Sequence, residues 1–555
     1  MQTLSPSKSL AAFALCALLA SGASRATPAA IAAPDPDGAA TAEAILHAGG
    51  NAVDAAVAVA FTLAVTYPDA GNLGGGGFAT VLFDGKPYFL DYREVAPSAA
   101  TANMYLDGAG TVVPDASTVG PKAAGIPGTV AGLWELHKRF GKLPWKTDVA
   151  PAIRLAREGF LVSPKLAANR DGRAAELHGR TNFLDYFGAL VPGRTHRQPE
   201  LAATLSRIAT LGPAGFYKGR TARLIVAEMA RGGGYITQAD LAAYRVEWRK
   251  PLEADWRGYR VITAPLPSSG GIALISLLAM KADLESTFRG VAHNSPQYVH
   301  LLAEIEKRIF ADRAEYFGDP AFSSAPVAAL LSPAYLARRS AEVRADRPTP
   351  TAAVAPGIAA HHNTTHFSIV DGSGNAVSNT YTLNDDFGSG QVVRGAGFLL
   401  NNEMDDFSVK PGTPNIYGVV GADANAIAPH KRPLSSMTPT ILTRGGKVAL
   451  VIGTPGGSRI FTSVFQVITN WHDYAMPLGD AVAATRVHHQ LLPPDTIFQE
   501  PYRQLERATV DALTALGYRF EDQGWNGDIQ AVEVGAQRPV AVADPRGRGV
   551  GRIID

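Results

Sequence analysis

The stretch 361-HHNTTHFSIVDGSGNAVSNTYTLN-384 decides how this chain is to be read. From Thr364 its side chains alternate, so Thr364, His366 and Ser368 share a polar face while Thr365, Phe367 and Ile369 share a mostly apolar one. The pattern predicts a half-buried β-strand. Asp371-Gly372-Ser373-Gly374 supplies a turn, and NAVSNTYTLN returns as the partner strand, with Thr364 expected across from Tyr381 and beside Thr380 and Thr382. Small polar groups, including Asn384, therefore gather at one strand end.

Three readings of that end stand side by side. His361, His362 and His366 could be metal ligands, but neighbours in a strand point to opposite faces, and no Asp, Glu or Cys stands nearby at ligand spacing. No metal is expected on that geometry. A loop entering a core hairpin would also be polar. The third reading makes Thr364 a nucleophile, which needs a base because a threonine hydroxyl alone is weak. Cutting the Asn363–Thr364 bond would supply one, since the new α-amine has a pKa of about 7.7–8.0 and could take the proton of its own hydroxyl.

Outward from this hairpin the chain changes character. Before it, PTPTAAVAPGIAA has the composition of a linker, and before that, from about residue 120 to about 350, segments such as QYVHLLAEIEKRIFADRAEYFG carry helical spacing. Helices are also expected from Asp37 to His47 and from Asn51 to Pro68, the second apolar on nearly every face yet carrying Asp54. A glycine run, 74-GGGG-77, then leads into a hairpin turning at Asp84-Gly85. After the central hairpin come strands and one amphipathic helix from Arg459 to Trp471, with Ile460, Val464 and Ile468 on one face. A helix-rich first part and a sheet-rich second part predict an α+β protein or a layered α/β/β/α sandwich.

Composition narrows the function. Apolar residues are 46% and charged residues 18% of the 555, which describes a globular chain. The 51 Lys and Arg nearly cancel the 50 Asp and Glu, so charge argues for neither nucleic acid nor anionic lipid as partner. MQTLSPSKSLAAFALCALLASGASRATPAA reads as a signal peptide cut after Ala23 or Ala26, its apolar run being too short for a membrane span. It carries the single cysteine, Cys16, so the exported chain would hold no thiol or disulfide, which suits an oxidising compartment, periplasmic or secreted.

Several ordered motifs resemble the γ-glutamyltranspeptidases (glutathione hydrolases) of the N-terminal-nucleophile hydrolase superfamily. They are 363-NTTHFSIVDGSGNAVSNTYTLN-384, 398-FLLNNEMDDFSVKPG-412, 432-RPLSSMTPTI-441 and 453-GTPGGSRI-460, with 49-GGNAVDAAVAVA-60, 90-LDYREVAP-97, 125-GIPGTVAG-132, 267-PSSGG-271 and 311-ADRAEYFGDP-320 in the first part. The resemblance implies a four-layer α/β/β/α sandwich, a cut at Asn363, a large subunit over 27–363 and a small catalytic one over 364–555. It implies no cofactor, with γ-glutamyl compounds such as glutathione as donors and water, amino acids or dipeptides as acceptors.

Site residues follow from the same resemblance. Thr364 would be the nucleophile, supported by Thr382, with Gly456 and Gly457 as the oxyanion hole; a strand meeting a helix there leaves amides without helical partners. Taken alone, that pair is a tight turn. Arg93, assisted by Ser435 and Ser436, would clamp the donor's α-carboxylate, and Asn384, Glu403 and Asp406 would hold its ammonium. Taken alone, Arg93 beside Glu94 reads as a solvated pair and MDDF as an exposed loop. Tyr417, in 411-PGTPNIYGVVG-421, would sit on a lid. Asp385-Asp386 depart from the smaller or uncharged residues of many bacterial members, with an expected influence on acceptor preference or pocket electrostatics; Glu403 replaces a Gln of some. A glutaryl-type cephalosporin acylase of the same superfamily, or a secreted binding protein, are the alternatives.

Overall fold

In the computed structural model, described over residues 27–354, 363–410, 413, 416, 422–524, 526–535 and 538–555, two antiparallel sheets lie face to face. The first has seven strands in the order 550–554, 29–33, 363–370, 376–384, 76–83, 86–92 and 247–249. The second has six, in the order 540–543, 530–533, 447–453, 440–444, 259–263 and 252–256. The expected signal peptide lies outside the described residues. Among the described residues, no helix is long and apolar enough to cross a membrane.

Period-two alternation builds the layers. Ala30, Ala32, Val370 and Ala376 of the first sheet meet Ile441, Val451 and Val532 of the second in a shared core, while Ile31, Phe367, Ile369 and Val377 point the other way, into the helices. Those helices are Pro36–His47 and Ala52–Thr66, close to their expected bounds. Every residue of Ala52–Thr66 is buried, and each large apolar side chain so covered contributes about 1.5–3 kcal/mol. Asp54 is tolerated there because it closes a capping box with Asn51 and accepts from the backbone of Lys142 (2.9 Å) and Leu143 (3.1 Å). On the far side, Phe461, Val464, Phe465 and Ile468 of helix Arg459–Asp473 cover the second sheet together with helices Gly270–Asp283 and Pro296–Tyr316. The result is the four-layer α/β/β/α sandwich.

Three expectations need correction. The sheets are shared between the two parts: besides the expected hairpin of 76–83 and 86–92, strands 29–33 and 247–249 of the first part join the seven-stranded sheet, and 252–256 and 259–263 join the other. Short strands between helices carry too few residues for a period to show. Ile460 packs with Phe78, Phe89 and Met437 rather than on the Val464 and Ile468 face, because it opens the helix where the sheets' ends converge.

The hairpin register is also one residue from that expected, with Tyr381 opposite Thr365 and Ala376 opposite Val370. The loop has five residues because the Asp371 carboxylate accepts from Ser373 N (2.9 Å), Asn375 N (3.0 Å) and Asn375 Nδ2 (3.0 Å), drawing Asn375 into the turn.

Candidate active site

The strand Asn363–Val370 opens at a disturbed place in the ladder. Tyr381 pairs with Thr365 but Asn384 pairs with Asn363, so Thr382 and Leu383 together stand opposite Thr364. That is a β-bulge, a device that re-aims side chains beside active sites. Asn384 takes φ 80°, its amide donates to Thr382 Oγ1 (2.8 Å) and its Nδ2 to Asn402 O (3.0 Å). Both residues are buried. The side chains of Asn363 and Thr364, and all of His361 and His362, lie outside the described residues.

Inside the sandwich the polar face of these strands is fully engaged. His366 hydrogen-bonds through Nδ1 with Thr380 Oγ1 (2.8 Å) and through Nε2 with Ser368 Oγ (3.0 Å). Burial pulls its pKa down to about 3, so the ring is neutral. Both ring nitrogens are spent on hydroxyls, which removes His366 from any metal role. Ser368 and Ser378 in turn donate to carbonyls of the opposite sheet, Gln530 O (2.9 Å) and Ile452 O (3.1 Å).

Gly453, at the end of strand Lys447–Gly453, stands against the His366 ring, where a Cβ would come within 2.4 Å of it. The chain then crosses Gly456 (φ 132°) and Gly457 (φ 67°) into helix Arg459–Asp473. These are left-handed values that only glycine adopts cheaply. Their carbonyls are turned into the helix: Gly456 O accepts from Arg459 N (3.2 Å) and Gly457 O from Ile460 N (3.2 Å). Such a turn leaves its amides facing away from the helix.

Arg93 follows strand Lys86–Tyr92 and is wholly buried with Glu94, Glu403 and Asp406. Nη1 donates to Glu403 and Nη2 to Asp406, while Nη2 also reaches Leu434 O (3.0 Å) and Nη1 reaches Glu94 (3.4 Å). The guanidinium thus joins residues that the resemblance assigned to two separate tasks. Neither the surface pair nor the exposed MDDF loop survives as a description. Three carboxylates surround one guanidinium, and burial drives Glu94 and Glu403 well above the ordinary carboxylate range and Asp406 up to about 8, although Arg93 opposes the rise in all three. Glu94 Oε1 and Glu403 Oε2 are buried without a hydrogen-bond partner among the described residues.

Ser435 and Ser436 come directly after Leu434, so the chain that touches Arg93 also presents them. Ser435 N donates to Pro267 O (2.9 Å) and Ser435 Oγ accepts from Met437 N (3.2 Å). Ser436 Oγ accepts from Arg313 Nη2 (2.8 Å), a partner the sequence reading had quoted only as part of a motif. Asp385 pairs with Arg173 (2.9 Å), while burial, Asp385 and Asp69 push Asp386 up to about 8. Of the 411–421 segment only Thr413 and Ile416 are described, and Tyr417 lies outside the described residues.

Two stacked sheets between helical layers, with a strand end opened by a bulge and a glycine turn leading into a helix, form the fold and site of the N-terminal-nucleophile hydrolases, and this protein is an enzyme of that class. The family model described as gamma-glutamyltranspeptidase matches residues 38–554. The chain belongs to the γ-glutamyltranspeptidase family. It is 62% identical over 526 residues to the glutathione hydrolase proenzyme of Pseudomonas aeruginosa, covering 95% of this chain and 94% of the relative. To that of Escherichia coli it is 43% identical over 512 residues, covering 90% and 87%. Among solved structures, the cephalosporin acylase of Bacillus halodurans superposes with TM-score 0.81 at 28% identity over 95% of this chain and 96% of its own. The γ-glutamyltranspeptidase of Pseudomonas nitroreducens complexed with L-DON gives TM-score 0.58 at 57% identity over 59% of this chain and 97% of its own.

Proposed function

We propose that the protein is exported, cuts itself between Asn363 and Thr364, and then transfers γ-glutamyl groups from donors such as glutathione to water or to amino acids and peptides. In the first step Thr364 Oγ adds to the Asn363 carbonyl carbon, the C–N bond breaks, and the chain is held by an ester. Water hydrolyses that ester, leaving a carboxylate on Asn363 and a free α-amine on Thr364. The P. nitroreducens match supports a two-chain product, since nearly all of that chain corresponds to only 59% of this one.

In turnover the α-amine takes the Thr364 hydroxyl proton as Oγ attacks the donor's γ-carbonyl, and the Gly456 and Gly457 amides receive the oxyanion. The proton passes to the leaving amine, a γ-glutamyl ester remains, and water or an acceptor amine discharges it. Thr382, whose hydroxyl sits at the bulge, supports Oγ, and Tyr417 closes the pocket.

The observation that carries the donor assignment is the buried cluster of Arg93 with Glu94, Glu403 and Asp406. Carboxylates outnumber the guanidinium, which suits a ligand bringing an ammonium, and burying such a cluster without a charged ligand to serve is costly. Asn384, Glu403 and Asp406 take the ammonium; Arg93, Ser435 and Ser436 take the carboxylate. A glutaryl group lacks the ammonium. The test is release of the aniline from a γ-glutamyl anilide, with and without a dipeptide acceptor, compared with a glutaryl anilide. Preference for the γ-glutamyl compound is expected; equal or greater glutaryl turnover sinks the assignment.

A further inference from the structure

Arg313, on helix Pro296–Tyr316, is fully buried, and among the described residues it has no ion pair. Its Nε donates to Ser269 Oγ (2.6 Å) and its Nη2 to Ser436 Oγ (2.8 Å), while Nη1 is buried without a partner among the described residues. A buried guanidinium with no carboxylate paired to it among the described residues is costly unless something negative visits it. Burial pulls its pKa down to about 9, which still leaves it charged at neutral pH, and the nearby Asp406 works against the drop.

The two serines it grips belong to one locked unit. Ser269 Oγ donates to Ser435 O (2.7 Å), Ser269 N donates to the same carbonyl (2.8 Å), and Ser268 Oγ donates to Met437 O (2.6 Å). Gly270 allows this closeness, since a Cβ there would lie 2.0 Å from Thr438 Oγ1 and 2.6 Å from Ser436 O. Arg93, by contrast, is already held by Glu403 and Asp406.

We infer that Arg313 is a positioning residue for the donor's α-carboxylate: through Ser436 and Ser269 it fixes the 435–436 turn and lends that place a positive charge. The inference rests on the γ-glutamyl reading above. It predicts an effect confined to donors that carry an α-carboxylate. Arg313→Met should raise KM for a γ-glutamyl anilide about tenfold or more while kcat changes less than about threefold, the signature of lost binding rather than lost chemistry. A γ-aminobutyryl anilide, which keeps the ammonium and lacks the carboxylate, should change in kcat/KM by less than about threefold. Arg313→Lys, which keeps the charge and loses the fork, should restore part of the KM.

Equal losses on both donors, or an unchanged KM, overturn the role and leave Arg313 as packing alone. Should Arg313→Met fail to fold or to cut itself, Arg313→Lys and Ser269→Ala decide by the same donor comparison. A wild-type protein inactive on the γ-glutamyl anilide overturns the functional reading and this role with it; an active wild type whose variants lose both donors equally overturns this role alone.

Discussion

At Asp406 burial lifts the carboxyl's pKa to about 8, so at neutral pH it is largely protonated. A bound ammonium favours the ionised form. Donor binding is therefore expected to release a proton, and KM should fall as pH rises between about 6 and 8. Asp406→Asn should flatten that trend and cost glutathione about 1.5–3 kcal/mol, roughly 10- to 150-fold in kcat/KM, with far less effect on a glutaryl amide. A wild-type KM independent of pH over that range would count against the ammonium assignment. At Gly456, φ 132° and a Cβ position 3.3 Å from Gly527 make any side chain a strain on the turn. Gly456→Ala is expected to lower kcat about 10²–10³-fold, with processing slowed alongside, in single-turnover and electrophoretic assays.

Among the elements, the glycine run explains itself by contact. A Cβ on Gly75 would lie 1.9 Å from Thr382 O and one on Gly77 2.4 Å from Thr380 O, so strand Gly76–Phe83 reaches the bulged strand only without side chains there. Both obstacles are backbone and cannot move aside. Gly75→Ala should therefore abolish folding or processing, read as loss of soluble two-chain protein; a normally processed, stable variant contradicts the close-approach account. The run was visible in the sequence as a motif, but its cause was not, because the partner backbone lies some three hundred residues away in the chain. The same holds for Arg93 and Glu94: local composition suggests a wet pair, and only tertiary packing against the 403–406 turn and the 433–434 backbone buries it. Elements with a full period, such as Ala52–Thr66 and the 363–384 hairpin, were legible at once. Their register was not, since it hinged on one carboxylate, Asp371, accepting three bonds.

For the whole molecule, burial keeps imidazoles neutral. His366 and His488 are both pulled down to about 3 by burial, so the unfolded chain takes up protons that the folded one refuses. Their contribution to stability is present above the unfolded pKa and is lost as pH falls from about 6.5 toward 3. His366→Gln should destabilise at neutral pH through its lost hydrogen bonds, with the gap to wild type narrowing by about pH 4.5, as denaturant melts at both pH values would show. A constant gap would mean that His366 does not titrate as its burial demands. The layered sandwich also explains why the nucleophile was readable and its pocket was not: the hairpin is contiguous, whereas the charge cluster is assembled from three distant segments by the stacking of the sheets. The account stands or falls on whether Thr364 becomes a chain terminus. Mass analysis of the denatured, purified protein is expected to find two chains, the shorter beginning at Thr364, and a single uncut chain for Thr364→Ala, which should also lack turnover. An intact wild-type chain that releases aniline from the γ-glutamyl anilide, or a cut and active Thr364→Ala protein, would contradict it.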